Sequence, residues 1–142
     1  MTPKVFIDTN LVLDLLAHRK PFYHEVQMLF SLADQGKFIP CVSTITFCNG
    51  AYILRKEIGI DKMPKVLRRF AEFVTITSVD NTVVRRSLEE GCKFRDIEDA
   101  MQYYSAIDSN CECIITRNIK DFKFSEIPVF TPLEYITRVV EN

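Results

Sequence analysis

The alternation of short apolar runs with amphipathic stretches is the feature that most constrains how this chain folds. The runs are short enough for strands buried on both faces, and turn or cap residues follow them. They lie at 5–7, 38–42, 74–77, 113–116 and 129–130. Because parallel strands need crossover helices, the alternation predicts an α/β fold with a mostly parallel sheet of about five strands, covered on both faces.

Capping and breaking residues predict where the intervening helices begin and end. We expect helices from Leu11 to Ala17, from Pro21 to Gly36, after Ser43 or Thr44, from Asp61 to Phe73, from Asp80 to Gly91, from Asp96 to Ile107, and after Pro132. No linker, repeat or low-complexity tract interrupts the pattern. At 142 residues, the chain is expected to form a single domain over 1–142.

Composition limits the classes of partner and compartment. The net charge is -1, which argues against a general nucleic-acid binder but leaves room for a local basic patch. The basic residues at 62, 65, 68 and 69, and at 117, 120 and 123, are either phosphate contacts or solvated helix faces. No signal peptide or long apolar stretch is present, so we expect a cytoplasmic protein with no membrane association.

The cysteines and histidines indicate structural roles. Five cysteines without a CxxC pair predict a reducing compartment. Cys111 and Cys113 can share one side of a strand, but a zinc site needs two more ligands and only His18 and His24 are available. Buried thiols are therefore favoured over zinc ligands.

Asp8 follows the first apolar run, and the carboxyl ends of parallel strands border the ligand crevice of an open α/β sheet. Asp8 is therefore a candidate metal ligand, with helix capping as the alternative. Asp99 is a second candidate, although the helix dipole also favours the negative charges of Asp96, Glu98 and Asp99 at a helix start. Asp96 as N-cap with Asp99 three residues later also resembles a capping box. Asp121 is a third, with an Asx turn as its alternative.

These carboxylates suggest a chemistry if they converge. Two like charges about 4 Å apart repel by roughly 4 kcal/mol at an effective dielectric of 20, and a divalent cation would offset that repulsion. Oxygen-only ligands favour hard cations such as Mg²⁺, which bind phosphate oxygens as well. The pattern therefore indicates metal-assisted phosphodiester hydrolysis.

Four segments in order, VFIDTNLVLDLL, STITFCNGAYIL, DIEDAMQYYSA and IITRNIKDF, resemble PIN domains of the VapC toxin type. The resemblance covers residues 4 to about 135 and implies a three-layer α/β/α sandwich with Mg²⁺ or Mn²⁺ held at the strand ends. It implies an endoribonuclease, an antitoxin protein as partner and a homodimer. By motif it assigns Asp8, Asp99 and Asp121 to the metal, with Thr116, Asn118 and Asp96 as supporting polar residues.

Asn49 is the main departure from the family pattern, because an acid usually stands at this second position. An amide oxygen can coordinate a cation or orient a water, but it carries no charge and accepts no proton. We therefore keep two alternatives beside an active ribonuclease in which Asn49 positions a water. One is a PIN-like nucleic-acid or protein-binding module with weakened catalysis, and the other is an α/β enzyme acting on a phosphorylated metabolite.

Overall fold

A computed structural model describes all residues, Met1–Asn142, and its five strands form one sheet. The strands are β1 (Lys4–Ile7), β2 (Ile39–Ser43), β3 (Thr75–Thr77), β4 (Cys113–Ile115) and β5 (Val129–Phe130). Their order across the sheet is β3-β2-β1-β4-β5, and every adjacent pair is parallel. The predicted α/β fold with a parallel five-stranded sheet is confirmed.

Seven helices and one short 3-10 turn, Ile119–Phe122, connect the strands. The helices are α1 (Thr9–Leu16), α2 (Tyr23–Asp34), α3 (Thr44–Ile58), α4 (Met63–Phe73), α5 (Asn81–Ser87), α6 (Ile97–Asp108) and α7 (Pro132–Glu141). None of them combines the length and the apolar character that crossing a bilayer requires.

Alternating strand residues build two separate cores. Val5, Ile7 and Val42 point to the larger core, which α1, α2, α4 and α7 cover. Phe6 and Cys41 point to the smaller core beneath α6. The period of two along each strand therefore produces the three-layer α/β/α arrangement.

Several predicted boundaries move by a few residues. Helix α5 ends at Ser87, not near Gly91, where the Ser87 hydroxyl donates to the Val83 carbonyl at 2.8 Å. The next residue, Leu88, is 58% exposed, so no core contact extends the helix. Asp80 caps α5 as predicted, but Asp61 does not cap α4, because that helix begins after Lys62.

The cysteines and histidines have structural surroundings. All five cysteines are free thiols. Cys111 packs in the smaller core and Cys113 in the larger one, so the expectation that they share one side of a strand is wrong. His18 stacks on Tyr23 with ring centroids 4.4 Å apart.

Candidate active site

Asp8 lies directly after the central strand, at the point where the order of the sheet reverses. From β1 the chain proceeds to β2 and β3 on one side, and β4 and β5 lie on the other. Connections that leave such a point in opposite directions open a crevice at the carboxyl edge of the sheet. The Asp8 residue is only 5% exposed, so the crevice has a buried carboxylate at its base.

The side chains that donate hydrogen bonds to Asp8 come from residues far away in the sequence. Although Asp8 precedes α1, its side chain makes no capping bond to that helix. Thr116 Oγ1 donates to Oδ2 at 2.8 Å, and Gln102 Nε2 donates to Oδ1 at 3.4 Å. The capping alternative for Asp8 is therefore wrong. Burial raises the pKa of Asp8, because three neutral donors, the Thr116 hydroxyl, the Thr9 backbone amide and the Gln102 amide, only partly replace water around the charge.

Gln102 is a site residue that the sequence reasoning missed. It is 1% exposed, and its Oε1 accepts a hydrogen bond from Thr9 Oγ1 at 3.1 Å. Thr9 Oγ1 also bonds Thr46 Oγ1 at 2.8 Å, so the network joins α6, α1 and α3 around Asp8. A polar residue three positions after Asp99, on the same helix face, was the available signal.

Asp99 lies in the first turn of α6, where Asp96 provides the cap. Asp96 Oδ1 accepts from the backbone amides of Glu98 at 2.8 Å and Asp99 at 3.4 Å, so the predicted N-cap is confirmed. No side-chain bond from Asp99 returns to the Asp96 amide, and the capping box is incomplete. Burial, followed by the charges of Asp8, Asp96, Asp121 and Glu98, raises the pKa of Asp99 to about 7.

Asp121 and Asn118 belong to the segment after β4. The Asp121 amide donates to the Asn118 carbonyl at 3.0 Å, and the Asn118 amide donates to Thr116 Oγ1 at 3.0 Å. Neither of the two side chains forms an Asx turn. The Asn118 backbone therefore orients the Thr116 hydroxyl toward Asp8, while the Asp121 carboxylate is exposed and free to meet a ligand.

Asn49 lies inside α3 and contacts an acid on α6. Its Nδ2 donates to Glu98 Oε1 at 2.6 Å, which links the helix after β2 to the start of α6. Partial burial, with the charges of Asp96 and Asp8, raises the pKa of Glu98, and the Asn49 amide opposes that shift. Glu98, for which the sequence indicated only a place at a helix start, therefore belongs to the acidic group around Asp8.

A groove of about 790 Å³ passes over this acidic group. Asp96, Asp99 and Asp121 line it, whereas Asp8 lies buried and Asn49 is not part of its wall. The remaining lining residues are Lys93, Arg95, Lys120, Lys123 and Phe124. The groove therefore places acids beside cations, an arrangement suited to a ligand that carries phosphates and binds a cation.

The donor chemistry of the site suits a hard divalent cation. Asp8, Asp99 and Asp121 offer only oxygen atoms, and their mutual charge effects on pKa show that they are close enough to repel one another. In this conformation no three acidic, histidine or cysteine side chains form a ligand set around one point. Binding would therefore use Asp8 together with rotation of the less buried Asp99 and Asp121 side chains, or bridging waters.

Arg117, one of the possible phosphate contacts, is already paired. Its Nε lies 2.9 Å from Asp14 Oδ2, its Nη2 donates to Oδ1 at 3.2 Å, and its guanidinium covers the Phe22 ring at 3.9 Å. Arg117 is absent from the groove lining, so it does not join Lys120 and Lys123 there.

Comparisons with known proteins give one family. A model described as "PIN domain" matches residues 4–120. Ribonuclease VapC1 from Aquifex aeolicus (strain VF5) is 30% identical over 141 residues, covering 95% of this chain and 94% of the relative.

Solved structures show the same fold. A toxin-antitoxin complex from Klebsiella pneumoniae contains a chain with a TM-score of 0.67 and 24% identity, over 91% of this chain and 98% of that one. DNA-bound VapBC from Salmonella typhimurium also has a TM-score of 0.67, with 19% identity, over 92% of this chain and 99% of the other.

Proposed function

The chain belongs to the PIN domain family, and we propose that it is a divalent-metal-dependent endoribonuclease that hydrolyses RNA phosphodiester bonds. The observation that carries the proposal is the buried Asp8 carboxylate, held by neutral donors and close enough to Asp99 and Asp121, which line the groove, to raise the pKa of Asp99. The name of its relative, Ribonuclease VapC1, supports RNA as the substrate.

Asp8, Asp99 and Asp121 would hold Mg²⁺ or Mn²⁺, or the waters around it. When bound, the ion would make a water nucleophilic near neutral pH and stabilise charge that develops on the phosphate. Thr116 and Gln102 fix the direction of the Asp8 oxygens, and Asn49 fixes that of Glu98. Lys120 lines the groove beside Asp121 and would hold the RNA backbone.

We further propose that the protein is the toxin of a type II toxin-antitoxin pair, acts in the cytoplasm and forms a homodimer. The fold it shares with a chain of the toxin-antitoxin complex from Klebsiella pneumoniae supports this role. Inducible expression would arrest growth, and the Asp8→Asn variant would not. Light scattering of the purified chain tests the dimer.

Cleavage of single-stranded and structured RNA with Mg²⁺, Mn²⁺ or EDTA tests the enzymatic proposal. We expect wild type to cleave only with metal, and Asp8→Asn and Asp99→Asn to lose more than about 100-fold in rate, because residues that only orient a metal ligand account for 10 to 100-fold. The matched control is Glu112→Gln, an exposed acid just before β4 at the opposite edge of the sheet. Equal cleavage in all samples would refute the proposed site.

Asn49 supports a second candidate, a PIN-like module that binds RNA or protein with weakened catalysis. In place of a carboxylate, position 49 presents an amide whose nitrogen is already bonded to Glu98. RNA binding without turnover in Mg²⁺ or Mn²⁺ would favour this alternative over the enzyme.

A further inference from the structure

Phe124 is exposed in the wall of the groove that Asp99 and Asp121 also line, and we propose that it is a stacking subsite for an unpaired RNA base next to the cleaved phosphate. Phe124 is the one apolar residue of the groove lining and is 43% exposed. The inference rests on the proposed function, because it names the part of an RNA substrate that this groove would bind.

The backbone around Phe124 is fixed, although its ring is exposed. Phe122 is 1% exposed in the smaller core, and its carbonyl accepts from the Ser125 amide at 2.9 Å. The Glu126 amide donates to the Tyr103 hydroxyl at 3.0 Å. The ring is therefore presented from an anchored segment, so binding a base there costs little ordering.

Two cations lie over the Phe124 ring. The Nζ atoms of Lys93 and Lys123 are 5.8 and 5.1 Å from its centroid, and both residues also line the groove. An exposed cation–π contact contributes less to binding than the stacking of a base on an aromatic ring. A base can therefore replace the ammonium groups, which then contact the adjoining phosphates.

The space beside Phe124 suits a planar ring. A second cavity of about 300 Å³ shares Lys93 and Phe124 with the groove and is lined further by Phe94, Tyr103 and Tyr104. A nucleotide with its phosphate among the groove acids and cations can thus place its base in an aromatic pocket. Bases inside a duplex are stacked on one another and cannot reach the ring, so the subsite selects single-stranded RNA or loops.

Binding of a fluorescein-labelled single-stranded RNA dodecamer in EDTA tests this subsite without cleavage. We expect Phe124→Leu, which keeps apolar bulk but removes the aromatic face, to weaken binding about 5- to 100-fold, and Phe124→Tyr to retain it. The control is Leu133→Ala, an apolar residue of α7 that is 55% exposed. Lys93→Gln and Lys123→Gln should each reduce the salt dependence of binding.

A duplex of the same sequence separates base stacking from attraction of the backbone alone. We expect duplex binding to be the same for wild type and Phe124→Leu. Wild-type affinity of Phe124→Leu for the single strand, with folding verified by thermal melting, would overturn the subsite. If metal-dependent cleavage is still observed in that case, the proposed ribonuclease stands without the subsite. If Phe124→Leu weakens binding of the single strand but the wild type cleaves no RNA, the subsite stands and the proposed ribonuclease does not.

Discussion

Asp8 and Asp14 are two buried carboxylates only six residues apart, and their surroundings differ in kind. Asp14 is completely buried and contacts two cations, Arg117 at 2.9 Å and Arg19 at 3.8 Å. Asp8 has no cation beside it and is held by Thr116 and other neutral groups. Arginines compensate a charge on Asp14 within the fold, whereas no basic side chain does so for Asp8, which leaves that role to a bound cation.

The largest stability effect should follow from Asp14→Asn, because it leaves the Arg117 guanidinium without its carboxylate. We expect a loss of about 3 kcal/mol in the free energy of unfolding, at the low end for a buried pair since Arg117 is partly exposed. Urea denaturation measures it. Asp108→Asn, which breaks an exposed pair with Arg86, should cost less than about 1 kcal/mol. Equal losses in the free energy of unfolding would mean that the buried Asp14 pair stabilises the fold no more than the exposed Asp108 pair does.

Thr116→Val should weaken metal binding at Asp8, the other buried carboxylate, more than it destabilises the fold. The substitution removes the 2.8 Å hydrogen bond to Asp8 Oδ2 and the acceptor of the Asn118 amide at 3.0 Å, while nearly keeping the size of the side chain. We expect Mn²⁺ affinity to fall about 10- to 100-fold, as for other groups that orient a metal ligand. Thr137→Val, which removes an exposed hydroxyl bond to the Leu133 carbonyl, is the control and should bind Mn²⁺ as wild type does.

Asn49→Asp should lower cleavage, by about 10-fold or less. The change replaces a donor 2.6 Å from Glu98 Oε1 with a second carboxylate, so Glu98 would be repelled from its position. Combining Asn49→Asp with Glu98→Gln restores a donor and an acceptor in reversed order and should recover much of the rate. A higher rate in Asn49→Asp alone would instead mean that the site lacks a carboxylate at this position.

A pH titration of Asp99 measures how strongly the acids near Asp8, which have no arginine partner, affect one another. Its pKa is raised from 3.8 to about 7, chiefly by burial and the charge of Asp8. The unfolded chain therefore releases this proton first, and the stability contributed by protonated Asp99 is lost as pH rises from about 4 to about 7.

Carbon-13 NMR of the Asp99 carboxyl should show a midpoint near pH 7 that falls when Mg²⁺ is added. NaCl at matched ionic strength is the control. Asp99→Asn should flatten the decline in thermal stability over the same pH range. If the titration midpoint of Asp99 is the same in Mg²⁺ as in NaCl, Asp99 does not lie close to a bound Mg²⁺ ion.

The sheet and the positions of the main acids were predictable because they depend on local patterns. Asp8 follows an apolar run, and parallel strands bring their carboxyl ends to one edge. The partners were not predictable, because Gln102 lies 94 residues from Asp8 and Arg117 lies 103 residues from Asp14. No periodicity specifies which polar side chains meet across such separations, and so the capping alternative for Asp8 was reasonable on sequence alone.

Calorimetric titration of Mn²⁺ into wild type, Asp8→Asn and Asp14→Asn, under conditions where all three are folded, tests the central contrast most directly. We expect Asp8→Asn to abolish or severely weaken Mn²⁺ binding, and Asp14→Asn to bind Mn²⁺ with nearly wild-type affinity despite its lower stability. Unchanged Mn²⁺ binding by Asp8→Asn, or equal losses in the two variants, would contradict it.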